Sequence, residues 1–429
     1  MKLVPLFLPL QLLFAVVSSA WSLYSVTSQS LLSFGNPWSS RIPQFILDTK
    51  HPWLSANKAW LSRYPNVTKA ICSRDSPLWT SPATPDHALP ADLFTHLLID
   101  NNHASNERLG WSNVRDRLRE IVDCEAALED VRHFHVDVYT SSSEYFMFKE
   151  PTLPPSALPK LFANVLARMS RLERLDWGID SKATRVFEPA FMAKGLMLPS
   201  VKYLRPGAGS DYLVSRCPNV EVLEAGDYSH HWSWSTGNSS HRLELIKAST
   251  GLKNLRDWRL AAGWEGWTLQ MLEGILNATP NITSLRMDGN LHGPNLDVMD
   301  RRAGRDPYSR DSQEDTMKRY LQVLALFPNL ESLQLPESMD LDLGFDGGPW
   351  CGNAYDGPEG REYGRQVTRE GSETTEVAAN MTLSALPRLN SLRIGSARAN
   401  LTLNGRGQPD MTWPWTGRME QYTHDIWEE

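Results

Sequence analysis

Cysteine is scarce in this sequence: four in 429 residues, Cys72, Cys124, Cys217 and Cys351, with no CxxC pair among them. A thiolate metal site needs such pairs, so none is expected. Scattered and even in number, these cysteines are candidates for up to two disulfides in an oxidising compartment, with three pairings open. An excess of positive charge is also lacking. The net charge of −7 and a pI near 5.9 give no electrostatic reason to expect nucleic acid or an anionic membrane as partner. Beyond Val17 no apolar run is long enough to cross a bilayer. The Tyr422–Glu429 stretch carries neither a retrieval tetrapeptide nor the hydrophobic tail of a lipid-anchor signal. Signatures of catalysis are missing as well: there is no GxSxG elbow, no HExxH, no P-loop and no strand-to-helix GxGxxG. Neither an enzyme nor a bound cofactor or metal is expected.

What is present begins with a leader. Lys2 supplies a positive n-region, Leu3 to Val17 is apolar, and Ser18-Ser19-Ala20 places small residues at a cleavage site. That run of about fifteen residues is short of the roughly 20 that span a membrane. The expectation is a signal peptide over 1–20, a mature chain starting near Trp21 and a secreted, extracellular protein. Six Asn-x-Ser/Thr sequons, at Asn66, Asn238, Asn277, Asn281, Asn380 and Asn400, agree with N-glycosylation in that route.

Self-similarity dominates the rest. A phrase recurs as Phe327-Pro-Asn-Leu-Glu-Ser-Leu-Gln-Leu335, Thr279-Pro-Asn-Ile-Thr-Ser-Leu-Arg-Met287, Leu386-Pro-Arg-Leu-Asn-Ser-Leu-Arg-Ile394 and Cys217-Pro-Asn-Val-Glu-Val-Leu-Glu-Ala225. Looser copies start their apolar triplets at Val131, Leu172, Val201 and Leu252, and a degenerate first copy at Val67. Proline ahead of the triplet stops a preceding helix. Apolar residues at the first, fourth and sixth positions match the leucine-rich-repeat frame, the last two alternating along a strand into a common core. Helical faces precede several copies: Leu158, Leu161, Phe162, Val165 and Leu166; Met317, Tyr320, Leu321 and Leu324; Val114, Leu118, Ile121 and Val122. Helix, turn and strand form one unit, and stacked units bury a continuous core.

The expected fold is therefore α/β, an irregular leucine-rich-repeat solenoid or horseshoe with a parallel concave sheet and convex helices. Its parts are an N-terminal helical cap over 21–63, a solenoid over 64–400 and a C-terminal capping segment over 401–429. The wide spacing of the late copies leaves polar insertions at about 297–316 and 337–376, which read as surface loops.

The phrases resemble the divergent leucine-rich-repeat regions of fungal proteins, above all those carried behind an F-box in filamentous fungi, over about Pro65 to Ile394. That resemblance implies a binding scaffold for a protein partner. Two departures stand out. Only Asn290 occupies the ninth position that forms the asparagine ladder of ordinary repeats, and no F-box is evident, although Leu89-Pro-Ala-Asp-Leu-Phe echoes its opening. If the leader were misread, an F-box-type adaptor would be the alternative.

Candidate contact residues are His133 and His135, alternating with Phe134 and Val136 so as to face away from the core, and His231, Trp232 and Trp234 on the loop after the Val220 strand. Tryptophan is abundant, 16 in all, with Trp258, Trp264 and Trp267 grouped after one strand and Trp413 and Trp415 near the end. Indoles suit a sugar contact, so a carbohydrate-binding or carbohydrate-active protein is a second alternative; their other role is filling gaps between unequal repeats. Asp340, Asp342 and Asp346 before Gly347-Gly348 form an acidic loop that reads as a solvated insertion, with calcium or paired carboxylates as lesser readings.

Overall fold

The apolar triplets and the helices before them assemble into one parallel sheet. The computed structural model describes residues 44–61, 67–80, 88–100, 111–138, 143–144, 147–148, 153–179, 181–225, 239–262, 265–291, 310–349, 351–403 and 409–428. Strands β1 (His96–Asp100), β2 (His133–Val138), β3 (Arg174–Ile179), β4 (Tyr203–Pro206), β5 (Val222–Ala225), β6 (Asp257–Ala261), β7 (Ser284–Asp288), β8 (Ser332–Leu335) and β9 (Ser391–Ile394) lie side by side in chain order. All eight pairings between them are parallel. A short β10 (Ala397–Arg398) turns back antiparallel on β9 and ends the sheet.

Parallel neighbours require a crossover, and each is made on the same side of the sheet. The crossovers include helices α4 (Trp111–Val122), α5 (Glu125–Asp130), α6 (Ala157–Arg168), α7 (Glu188–Lys194), α8 (Ser239–Ala248), α9 (Leu269–Ala278), α10 (Arg310–Leu324) and α11 (Gly357–Ala385); a 3-10 turn at Asp211–Arg216 serves between β4 and β5. The strands record this one-sidedness. β2 and β8 alternate strictly between half-exposed and buried residues, so one face lies under the helices and the other is open. Leu330, Leu333 and Leu335 are buried, as are Leu389, Leu392 and Ile394, while Glu331, Asn390 and Arg393 are exposed. Between the sheet and α6 and α7, Trp177 sits among Phe162, Phe187 and Phe191 at ring distances of 5.1 to 5.6 Å, edge-on to each. Its indole N–H is satisfied by Thr184 Oγ1 at 3.0 Å.

A backbone motif repeats at every strand entry. The Thr95 carbonyl accepts the N–H groups of both Arg132 and His133, and the Arg132 carbonyl in turn accepts those of Glu173 and Arg174. The relay continues through the carbonyls of Glu173, Lys202, Glu221, Arg256, Thr283 and Glu331, each taking two successive N–H groups of the next repeat at 2.8 to 3.2 Å. A carbonyl has two lone pairs, and here both are used. This main-chain spine needs no side chain to run from strand to strand. Asparagines of the turns ahead of the strands add a looser rung outside it: Asn254 donates to Asn219 at 3.3 Å, Asn329 to Asn281 at 3.4 Å, and Asn219 to the Pro199 carbonyl at 2.9 Å.

Three expectations require correction. Val67 does not open a strand: Val67–Cys72 is helix α3, because Val67, Ala70 and Ile71 follow helical spacing. The first strand is β1, whose frame is Phe94, Leu97 and Ile99, all buried. The copy placed at Leu252 starts three residues later, at Leu255, since Asp257 pairs with Val222; Trp258 and Leu260 fill its fourth and sixth positions and are fully buried. Finally, the region 337–376 is a loop only in its first part, where it is broken by 3-10 turns at Ser338–Asp340 and Gly352–Tyr355, and is helical from Gly357 onward within the 29-residue α11. Its glycines are contact sites rather than breakers. A Cβ on Gly364 would lie 2.6 Å from the Trp427 ring, and one on Gly360 would meet the Tyr355 backbone at 2.3 Å. Of the insertion at 297–316, Arg310 onward belongs to α10, and the remainder lies outside the described residues.

The ends are closed by different means. Helices α1 (Gln44–Asp48), α2 (Pro52–Leu61) and α3 lie ahead of β1, and a Cys72–Cys124 disulfide ties the last residue of α3 to the N-cap of α5, reinforced by an Arg74–Asp130 ion pair. At the other end the hairpin of β11 (Asn400–Leu403) and β12 (Pro409–Thr412) is followed by the buried Trp413 and Trp415, stacked at 5.3 Å. Helix α12 (Met419–Glu428) then packs on α11. No helix among the described residues is long and apolar enough to cross a membrane.

Two outcomes follow from this packing. Leu333→Ala opens a cavity under β8 and should cost about 2 to 5 kcal/mol, whereas Gln334→Ala on the open face should cost no more than about 1 kcal/mol; denaturant unfolding of both variants checks the register. Alkylation of the unreduced, denatured protein should label two thiols, Cys217 and Cys351, with Cys72 and Cys124 protected. Burial pushes the Cys217 thiol up to about 12, so in the native protein only the exposed Cys351 should react readily.

Candidate functional site

The open face is composed by the third and fifth positions of each repeat frame. The register places them in two rows. One runs His96, His133, Arg174, Tyr203, Val222, Asp257, Ser284, Ser332, Ser391; the other runs Leu98, His135, Asp176, Arg205, Glu224, Arg259, Arg286, Gln334, Arg393. Strands about 4.8 Å apart bring side chains of the same row on neighbouring strands into direct contact.

Those contacts form a chain of alternating charge. Asp176 Oδ2 accepts from Arg174 Nε at 3.0 Å and lies 3.3 Å from His135 Nδ1. The Arg174 guanidinium lies over the Tyr203 ring, 4.0 Å from its centre, in the geometry of a cation–π contact. The Tyr203 hydroxyl donates to Glu224. Glu224 is also approached by Arg259 at 3.3 Å and Arg205 at 3.7 Å. Arg259 grips Asp257 Oδ2 through two nitrogens at 2.9 and 2.7 Å. Farther along, Asp288 accepts from Arg286 at 2.6 Å and from Gln334 at 3.2 Å.

Asp176 and Glu224 are each only 8% exposed, so their partners matter. Burial alone would push the Asp176 carboxyl up, but the His135 and Arg174 hydrogen bonds more than offset it, and Asp176 sits below the usual carboxylate range. Burial likewise opposes the charge on Arg174, and Asp176 restores it. For Tyr203, burial and the Glu224 acceptor both raise the phenol above its ordinary range, so it remains a hydrogen-bond donor.

At the β1 end of this face lies a cleft of about 470 Å3, lined by His96, His133, His135, Arg174 and Asp176 of the sheet and by Lys50 from the α1–α2 connection. The His96 and His133 rings meet edge-on at 4.3 Å. Burial, then His96 and Arg174, lower the His133 pKa. His133 and His135 are thus brought together as expected of strand neighbours, and the structure adds His96, Arg174, Asp176 and Lys50 to them. The frame positions could have named the first three of these; nothing in the repeat pattern points to Lys50.

Other candidates fare differently. His231, Trp232 and Trp234 lie outside the described residues, as does Trp264. Trp258 and Trp267 are fully buried, and Trp413 and Trp415 nearly so, so these indoles fill the core. In the acidic loop, Asp346 accepts from its own Gly348 N–H at 3.0 Å, and burial raises the Asp340 carboxyl. Among the described residues no group of three or more His, Cys, Asp or Glu is placed to hold a metal. Asn277, Asn281, Asn380 and Asn400 are exposed; Asn66 and Asn238 lie outside the described residues.

The class defined by this arrangement is an α/β protein with a ten-stranded, mostly parallel open sheet, helices on one face and a charged opposite face. No family model matches the chain, and no curated protein matches it either.

Asp176→Asn removes the charge that holds Arg174 and His135, and should destabilise the fold by about 1.5 to 3 kcal/mol at neutral pH. Because the folded carboxyl is depressed, its contribution is present above the unfolded value of 3.8 and is lost as pH falls through the folded one. Denaturant unfolding of the wild type and variant should therefore converge in strong acid.

Proposed function

We propose that this protein is a secreted, non-catalytic leucine-rich-repeat scaffold that binds a protein partner on the open, concave face of an irregular horseshoe. The observation that carries this reading is the two-row array at the third and fifth frame positions: polar, arginine-rich and pre-ordered across nine strands. Arginine and tyrosine held in place contribute contact at low entropic cost. Secretion is supported by the leader-like residues 1–20 and by the Cys72–Cys124 disulfide, which reducing compartments disfavour. The resemblance to fungal repeat regions agrees with a binding role. A protein partner is preferred to a glycan because Trp258, Trp267, Trp413 and Trp415 are buried and, on the open face, the Tyr203 ring is already covered by Arg174, leaving the sugar reading to Trp232 and Trp234.

The test is positional crosslinking. A photoreactive residue replacing Arg286 or Arg393 on the open face, or Glu273 on the exposed side of α9, is presented to the secreted proteins of the cells that express this chain. Crosslinks to one reproducible protein, identified by mass spectrometry, are expected from both open-face positions and not from Glu273. Capture from Glu273 alone, or none from the sheet, would overturn the proposal.

A further inference from the structure

The charge of the open face is not evenly spread. Along β3 to β8 the acids and bases largely cancel, whereas at the β1 end basic groups are in surplus on a chain whose net charge is −7. The cleft there has two permanent cations, Lys50 and Arg174, against a single carboxylate, Asp176, and that carboxylate is already committed to Arg174 and His135. Three imidazoles complete the lining. When they are protonated, five cations face one anion. The His96 and His133 rings, 4.3 Å apart, then repel one another unless an anion sits between them and the solvent.

We infer that this cleft is an acid-strengthened binding site for a carboxylate-bearing segment of a protein partner, one or two Asp or Glu side chains long. The inference rests on the reading of the open face as a protein-binding surface and names the chemistry recognised at one end of it. The volume, about 470 Å3, suits one or two side chains. Leu98, half-buried on the same face, offers an apolar floor beside the charges. The groups facing His133 from every packed element support the sign. Lys50 and His51 come from the α1–α2 connection, with His51 3.4 Å from Asp92. His96 comes from β1, His135 and Asp137 from β2, and Arg174, Asp176 and the Arg132-paired Glu173 from the neighbouring strand segment. Of the carboxylates, Asp176 is hydrogen-bonded to His135 and Arg174, Glu173 and Asp92 each face a cation of their own, and Asp137 lies outside the cleft lining. An incoming carboxylate therefore adds the anion the cleft lacks.

Proton linkage gives the pH dependence. In the empty cleft His133 loses its proton readily, through burial and through the neighbouring His96 and Arg174. A bound carboxylate favours the imidazolium and raises the His133 pKa in the complex. The extra affinity is fully present below the free-state value and is lost as pH rises through the liganded one. Raising that pKa by about one on binding corresponds to about a tenfold gain in affinity.

The experiment is calorimetric titration of the full chain with acetylated triglutamate, and in a parallel arm with trigalacturonate, at about pH 5.5 and about pH 7.5 and fixed ionic strength. The peptide should bind about tenfold more tightly at the lower pH. Lys50→Gln should weaken it at both pH values, and His133→Gln should remove most of the pH dependence. If His133→Gln fails to fold by circular dichroism, His133→Asn serves in its place and should also flatten the profile. No peptide binding, equal binding at the two pH values, indifference to Lys50→Gln, or trigalacturonate bound as tightly as the peptide would each overturn the inference. Crosslinks from Arg286 and Arg393 that persist alongside such a failure would leave the scaffold reading standing and remove only the cleft.

Discussion

One carbonyl per repeat holds the architecture in register. The oxygens of Thr95, Arg132, Glu173, Lys202, Glu221, Arg256, Thr283 and Glu331 each accept two N–H groups from the repeat that follows, and this fixes where every strand begins. The residue before each carbonyl is the first apolar residue of the frame, from Phe94 to Leu330, and all eight are buried. Pairing and burial therefore specify the same alignment, and a slip of one residue would have to break both. The repeats differ widely in length, but the entry geometry does not. The insertions and the unequal helices are taken up on the other side of the sheet, where a crossover can be a 3-10 turn at Asp211–Arg216 or the 29-residue α11.

Because the entry is invariant, the third and fifth frame positions come into line across nine strands whatever the crossovers do. Cross-strand neighbours in direct contact are stabilised when opposite in charge and penalised when alike. Between β3 and β6 the sequence alternates accordingly, with Asp176, Arg205, Glu224 and Arg259 in succession along one row, and Arg286, next to Arg259 on β7, is bonded to Asp288 instead. Taking Asp176 and Glu224 almost wholly out of water is costly unless the charges are paired and hydrogen-bonded, and each has at least two partners here. The pairing leaves the arginines and Tyr203 fixed in orientation but still half-exposed.

The frame was legible wherever the apolar residues were aliphatic and a proline announced them. Leu330-Glu-Ser-Leu333-Gln-Leu335 can be read in only one register, and its helix α10 precedes it with a clean face of Met317, Tyr320, Leu321 and Leu324. The misplacement at Leu252 has a physical source. Leu252 and Leu255 both satisfy the first part of the frame, and the choice falls to the fourth position, where Trp258 serves as well as a leucine because the space between unequal repeats is large enough for an indole. β1 lacks any proline signal, yet Phe94, Leu97 and Ile99 carry the frame intact. α11 was hidden by its glycines: Gly360 and Gly364 lower helix propensity but admit Tyr355 and Trp427, and the Ser372, Thr375 and Thr382 hydroxyls bond to carbonyls four residues back. That contact depends on α12, some sixty residues away, which no local pattern reveals.

The candidate site divides along the same line. His133 and His135 were legible because alternation alone sends them to the open face. His96, Arg174 and Asp176 belong to it by register, and register becomes known only once the strand entries are fixed. Lys50 belongs to it through the N-terminal cap. The cap is held in turn by contacts across long stretches of chain: Cys72 to Cys124, Arg74 to Asp130 and the Phe45 ring on Phe94. None of these is periodic. The first strand of such a sheet has an edge with no preceding repeat to cover it, and an exposed edge invites unwanted pairing. Here the cap that lies against β1 also carries Lys50 up to the open face, and the surplus of positive charge arises where the cap meets the first three strands. Terminal capping and the polarity of the open face are thus consequences of one packing arrangement, and the end of the array that most needs covering is also the end at which its charge is least balanced.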